Sequence, residues 1–446
     1  MSQAAIDLRS VSSEADDVER STVAAVSWRV IPFLVLAYFF CVLDRVNVSF
    51  AALTMNADLA FSPLVYTWGA GIFFIGYFIL EVPSNMALAR FGARRWIARI
   101  MVTWGLVSAA MAFVTGPNSF YVLRFLLGVA EAGFFPGIVL YLTYWYPAKY
   151  RARVMSAFIL GAPLSAMFGG PLCGLLLGLD GFLGLKGWQW LFIAEGIPSA
   201  LLGIVTLFYL TDRPFEANWL SPQQRSWLET TLANERAARE AVHSLTLGEA
   251  LRSPKVIALG LVYFGLLAGL YGVQFWLPQI VKGFGLSNLQ TSMVSALPFA
   301  FGTLAMLLWG RRSDRKQERI HHIVLPLLVS AVALGFSAYA GSLTLTMIAL
   351  IVAAMGGFAA FGLFWTLPTA FLTGAAAAGG IALINSIGSL AGFGGPYIVG
   401  WTKEMTGSAT SGLLFLAVLP ILAALLVVVM RGAARSEFAA GLRSQA

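Results

Sequence analysis

The sequence predicts an all-α membrane protein of twelve transmembrane helices in two pseudo-symmetric six-helix bundles. Three observations carry that prediction. Of its 446 residues, 59% are apolar and 11% charged, against about 25% charged in an ordinary soluble domain. Twelve continuous apolar stretches each supply the roughly 20 residues that a membrane helix needs. One long polar segment divides those stretches six and six. With a mean hydropathy of +0.79, a water-soluble enzyme is excluded. A membrane barrel is excluded as well, because the runs far exceed its alternating strands of about 10 residues.

In chain order, residues 1–28 form a polar tail, acidic through Asp7, Glu14, Asp16, Asp17 and Glu19. It reads as disordered, with no cleavable signal before the first span. Spans 1 to 6 follow at about 30–51, 66–89, 96–115, 119–143, 154–178 and 190–210, in a first bundle over residues 29–211. A linker covers 212–254, in which Ser221 and Pro222 read as the N-cap and first turn of an amphipathic helix running to Arg239. Spans 7 to 12 lie at about 256–280, 289–310, 322–341, 344–367, 375–400 and 410–430, in a second bundle over 255–431. A tail, 432–446, closes the chain.

Positive charge orients this arrangement. Of 29 Lys and Arg, 24 fall on the side that carries the termini, and only Lys186, Lys282 and Lys403 on the other. That bias places both termini in the cytoplasm and the protein in the plasma (inner) membrane. The net charge of +8 therefore reports topology, and no nucleic-acid partner is expected. Cys41 and Cys173 lie within spans and read as small core residues rather than a disulfide. The three histidines form no metal cluster, so no metal or other cofactor is expected.

The remaining two arginines lie inside spans. Asp44 and Arg45 are in span 1, Glu81 in span 2, Arg124 and Glu131 in span 4, and Glu195 near the start of span 6. Spans 7 to 12 hold no charge at comparable depth. Each such charge costs about 2.5–3.5 kcal/mol on insertion scales, so these groups must be paired, hydrated or partly neutral. At a rise of ~1.5 Å per residue, Asp44, Arg45, Arg124 and Glu131 reach one layer near mid-membrane, with Tyr77 of span 2 beside them. A neutral cluster that only ties spans 1 and 4 together is one reading. The other is functional: guanidinium forks bind a carboxylate bidentately while the acids exchange protons. Glu81, one turn from Tyr77 and from Asn85, reads as structural near the terminal-side gate. Glu195, after Trp188 and Trp190, reads as structural at the membrane edge.

A weak internal repeat supports the two halves. N-M-A-L-A-R-F-G-A-R-R at Asn85–Arg95 sits between spans 2 and 3, and G-R-R-S-D-R-K-Q-E-R at Gly310–Arg319 between spans 8 and 9. The second copy, through Gly310, Asp314, Arg315 and Arg319, resembles the loop motif of the major facilitator superfamily. The first keeps Arg90 and Arg94 but has Asn85 for the glycine and Ala89 for the acid. The resemblance narrows on L-D-R-V-N-V-S-F-A-A at 43–52, G-I-F-F-I-G-Y-F-I-L-E-V-P-S-N at 71–85 and R-F-L-L-G-V-A-E-A-G-F-F-P-G at 124–137. With F-W-L-P-Q-I-V-K at 275–282 and A-L-I-N-S-I-G-S-L-A-G-F-G-G-P-Y-I-V-G at 382–400, these segments resemble the anion:cation symporters of that superfamily, tartrate transporters most of all. Hydroxyphenylacetate and phthalate permeases stand close by.

That resemblance implies proton-driven import of a small organic anion by a monomeric carrier. It assigns proton coupling to Asp44 and Glu131, substrate contact to Arg45 and Arg124, and cavity-lining positions to Tyr77, Trp365 and Asn385. Arg90, Arg94, Gly310, Asp314, Arg315 and Arg319 would belong to the gating loops. Gln274, Trp276 and Gln279 of span 7 read equally as cavity residues or interfacial anchors. Span 5 is apolar at Gly161–Leu164 where sugar-acid carriers are more polar, which favours a shorter diacid or an aromatic acid over a hexonate. Two rivals remain. The G-P-x-x-G at 170–174 partly matches an antiporter motif, which would suit an exporter. A sensor that binds an acid without moving it lacks any appended signalling domain. No phosphate-binding loop suggests an ATP-driven pump.

Overall fold

The computed structural model describes residues 3–240, 252–316, 318–371 and 374–443; for 3–15, 374–379, 431–443 and a number of other positions, Asp314 among them, it describes the backbone alone. Eleven of the described helices are long and apolar enough to cross a membrane. The expected span 11 accounts for the twelfth pass. It is built from two sixteen-residue helices, Gly374–Ser389 and Ala391–Thr406, each too short alone. Twelve passes bring the two ends of the chain to one face, called here the terminal face; the opposite one is the far face.

Five spans are interrupted rather than continuous. Span 1 breaks at Asn47, span 4 at Ala132–Gly133, span 5 at Leu160, span 10 at Trp365 and span 11 at Leu390. Proline explains three of these. Pro136, Pro163 and Pro368 have no N–H to donate to the carbonyls of Ala132, Ile159 and Phe364, the fourth residue before each. The ladder gives way at those carbonyls. At span 4 the chain also needs Gly133, whose φ is +87° and whose missing Cβ leaves room for the Ser84 hydroxyl. Helices interrupted at mid-membrane are a known way to line a solute site, since freed backbone groups are tolerated where they face a cavity.

The two halves meet chiefly through their far-face ends. Gly170 and Gly174 of span 5 let span 8 approach through Ser292 and Leu289, the close packing that small residues permit between membrane helices. Trp68 of span 2 stacks edge-on against Phe393 and Tyr397 of span 11. The Tyr66 hydroxyl donates to the Phe275 carbonyl at 2.7 Å. Towards the terminal face, span 2 touches span 11 through Glu81, whose carboxylate accepts from Asn385 Nδ2 at 2.6 Å and Ser386 Oγ at 3.0 Å. The linker helix, Pro222–Glu240, docks on the first half. There Glu235 accepts from the Ala148 N–H at the start of span 5 and pairs with Arg151, both at 2.8 Å.

Candidate functional site

Between the halves lies a cavity of about 110 Å³, lined from the first half by Arg45, Tyr77 and Phe135 and from the second by Tyr271, Gln274, Trp365 and Asn385, among others. Of the span-7 residues with two readings, Gln274 faces this cavity, whereas the Trp276 indole turns to the Pro396 carbonyl at 3.1 Å. Tyr271 is a cavity residue that the sequence reading missed. Three positions before Gln274, it lies on the same helical face, so extending that face would have found it. The walls are strongly aromatic. Tyr263 stands edge-on to Trp365 at 5.0 Å between centroids.

Arg45 is the cation on the wall. Its Nε donates to Glu131 Oε1 at 3.0 Å, its Nη2 to the same oxygen, and its Nη1 reaches the Tyr271 hydroxyl at 3.5 Å. The guanidinium lies 5.4 Å from the Phe73 ring and 5.2 Å from that of Tyr77, distances at which a cation is attracted to the ring face. The Arg45 side chain keeps 12% exposure, while Glu131 has none. Glu131 Oε1 also accepts from the Cys41 thiol at 3.2 Å, and its Oε2 has no hydrogen-bond partner among the described residues. One charge of the pair therefore faces the cavity and the other lies sealed behind it.

The other expected charges do not join that pair in the cavity. Arg124 is fully buried and donates to backbone: Nε to the Gly69 carbonyl at 3.1 Å, Nη2 to Ala70 at 3.2 Å and to Arg45 at 3.5 Å. It clamps span 2 to span 1 and fixes the carbonyl of the very residue that presents the cavity cation. Asp44 points away from Arg45, since adjacent helical residues are turned by ~100° from one another. It accepts from Trp104 Nε1 at 3.1 Å and from the Ser108 and Ser199 hydroxyls at 2.7 and 2.5 Å, which knits span 1 to spans 3 and 6. Glu195, expected at the membrane edge, is instead fully buried and accepts from the Cys173 thiol at 3.2 Å. Span 6 begins at Gly187, so Glu195 sits about 12 Å along the helix. Both cysteines, read as plain core residues, thus serve as donors to a buried glutamate.

The loop motifs are built differently in the two halves. In the first, Ala89 supplies no acid, but Asp212 after span 6 accepts from the Arg94 N–H at 2.7 Å and pairs with its side chain at 3.7 Å. Arg90 is exposed and lies 5.6 Å from the Phe91 ring. In the second, Arg319 donates to Ser313 Oγ at 3.0 Å, Arg315 is exposed, a Cβ at Gly310 would meet open space, and the Asp314 side chain lies outside the described residues. Glu318, unexpected from the motif, caps span 9 through the His321 and His322 N–H groups at 2.9 and 3.2 Å. Partial burial opposes its ionisation, but these bonds and the His322 ring outweigh it and bring its pKa down to about 2 from 4.5. A depressed acid stabilises above its unfolded pKa and loses that contribution as pH falls through the folded one. Protection of the His321 and His322 amides, relative to their intrinsic exchange, is therefore expected to fall between pH 4.5 and about 2, and in Glu318→Ala to be low already at neutral pH. Equal protection in the variant at pH 7 would contradict the cap.

Comparison with known proteins places this geometry. The family model described as Major Facilitator Superfamily matches residues 34–396. A protein of Agrobacterium vitis named for tartrate transport is 52% identical over 93% of this chain and 95% of its own length. The quinolone resistance transporter of Acinetobacter baumannii is 43% identical over 93% of this chain and 96% of its own. A solved bacterial homologue of the human lysosomal transporter Spinster, inward-facing and occupied, superposes with a TM-score of 0.72 at 18% identity, covering 90% of this chain and 96% of that one.

Proposed function

Because this chain belongs to the Major Facilitator Superfamily of membrane transporters, we propose that it imports a small organic anion, a tartrate-like dicarboxylate or an aromatic carboxylate, by proton symport with alternating access. The observation that carries this reading is the Arg45–Glu131 pair: a guanidinium on the cavity wall balanced by a carboxylate with no exposure of its own. An arriving carboxylate competes with Glu131 for Arg45. Once displaced, Glu131 is a buried charge without its counter-ion, a costly state that a proton relieves. Substrate and proton are thus held together or not at all. Asp44 and Arg124 support the site from behind, Asp44 by seating span 1 on spans 3 and 6, and Arg124 by holding the Arg45 backbone. Tyr77, Gln274, Trp365 and Asn385 orient the rest of the solute.

Relatives named for tartrate transport favour the diacid, and the aromatic lining suits a planar ring. The charge bias of the loops supports cytoplasmic termini, so the cavity loads from outside and empties inside. Reconstituted protein under an inward proton gradient is expected to accumulate tartrate, phthalate or hydroxyphenylacetate above its equilibrium level, and collapse of the gradient to release it. Accumulation of none of the three would overturn the reading. The similarity to a quinolone resistance transporter favours a second reading, export of an aromatic compound; proton-driven loss of quinolone from preloaded vesicles would establish it instead.

A further inference from the structure

Glu81 is a buried carboxylate, 1% exposed, for which the pairing at Arg45 gives no use. It lies immediately behind the cavity wall and crosses from the first half to the second. Its oxygens accept from Asn385 Nδ2 at 2.6 Å and Ser386 Oγ at 3.0 Å, both neutral donors on span 11. Asn385 itself lines the cavity. The charged and titratable groups that face Glu81 from the packed elements are Arg45 of span 1, Tyr77 of its own span and Tyr263 of span 7. Span 11 contributes amide and hydroxyl groups alone at this point. Among the described lining residues Arg45 is the one formal cation, and it is already balanced by Glu131.

Charge accounting then distinguishes a monoanion from a dianion. One substrate carboxylate at Arg45 is offset by a proton on Glu131. A second carboxylate reaching Asn385 meets an amide that already gives one hydrogen to the ionised Glu81, with no further cation among the described lining residues. Tyr77 and Glu81 are four residues apart on one helical face, a rise of about 6 Å, and the Arg45 guanidinium lies against the Tyr77 ring. A short dicarboxylate spans that interval.

We propose that Glu81 is a second proton-accepting group of the carrier, specific to dianionic substrates. When the far carboxylate of a dianion arrives at Asn385, Glu81 takes one proton from water and becomes a neutral acid. Two protons and one dianion then cross as a neutral load, and the Glu81 link between spans 2 and 11 loses its ionic character in the loaded carrier. This rests on the proposed reading of the cavity as a carboxylate site.

The test is tartrate binding to the full-length protein in detergent, by calorimetry and by proton uptake in weakly buffered solution with an indicator dye. Glu81→Gln is expected to take up one proton fewer per tartrate bound than the wild type, and to bind tartrate about tenfold more tightly at pH 7.5, since an ionised competitor is gone. Ser386→Ala removes one bond to Glu81 without touching the cavity. It is expected to tighten tartrate severalfold and keep the wild-type proton count, so it carries the test if the first variant does not fold. Proton counts equal in wild type and Glu81→Gln, or weaker tartrate binding in Ser386→Ala, would overturn the assignment. A wild type that binds no tartrate would overturn the carboxylate reading itself, an outcome separate from a wild type that binds and a Glu81 variant that changes nothing.

Discussion

Glu131→Gln is expected to abolish accumulation of a monocarboxylate such as hydroxyphenylacetate driven by an inward proton gradient, while exchange of labelled for unlabelled substrate persists. The reasoning is geometric. Glutamine keeps an oxygen that can accept from Arg45 Nε, the bond measured at 3.0 Å, so the fork stays in place and the cavity keeps its shape. The side chain can no longer change its charge. Substrate can bind and leave, because Arg45 remains, but neither event is tied to a proton. Without that exchangeable charge the gradient has nothing to act on at this site. Paired measurements of accumulation and exchange on the same vesicles decide the matter. Wild-type accumulation in the variant would remove Glu131 from the coupling step.

Arg45→Lys is expected to weaken tartrate binding about a hundredfold, with the loss appearing as faster release. The guanidinium makes three contacts at once, to Glu131 through Nε and Nη2 and towards Tyr271 through Nη1, and it does so in a plane against the Phe73 and Tyr77 rings. A lysine ammonium is a compact point charge that satisfies one partner and cannot receive a carboxylate bidentately. Arg124→Lys reports a different role. Its guanidinium bonds three backbone carbonyls from a site with no exposure, and a lysine ammonium, without the planar fork, cannot span all three, which costs about 1–3 kcal/mol in lost buried hydrogen bonds. The expected signature is a lowered melting temperature with tartrate affinity changed less than in Arg45→Lys. Wild-type affinity in Arg45→Lys, read by calorimetry, would end the case for arginine recognition.

Much of this architecture was legible beforehand, and the reasons differ by element. Apolar runs of membrane length report helices directly, because a backbone in hydrocarbon must satisfy itself. The expected spans accordingly correspond to helices along the chain, and Tyr77, Gln274, Trp365 and Asn385 all line one cavity. What was not legible is direction and continuity. Asp44 and Arg45 were expected in one cluster with Arg124 and Glu131, yet neighbours on a helix face different partners, and Asp44 turns to Trp104, Ser108 and Ser199. Arg124 and Glu131 share a helical face by spacing, but the buried guanidinium turns instead to the carbonyls of Gly69 and Ala70 within span 2, backbone acceptors that leave no trace in side-chain identity. Hydropathy hides the interruptions at Ala132, Leu160, Trp365 and Leu390, since a break costs the profile nothing. Pro136, Pro163 and Pro368 mark three of them, but Pro83, Pro278 and Pro298 stand inside unbroken helices, so proline alone does not reveal which spans break. Glu195 lies deeper than the flanking Trp188 and Trp190 suggest, because span 6 starts ahead of both, at Gly187.

The uneven distribution of formal charge has an electrical consequence. Arg45, Arg124, Asp44, Glu81, Glu131 and Glu195 all belong to spans 1 to 6, while among the described residues the facing wall from spans 7 to 12 is aromatic, aliphatic, amide and hydroxyl. A resting membrane does about 2.3 kcal/mol of work on each elementary charge moved through 100 mV. Reorientation of this uncharged wall therefore draws nothing from the potential, and the voltage sensitivity that arises at the cavity must originate in the ionised groups of the other half or in the solute they carry.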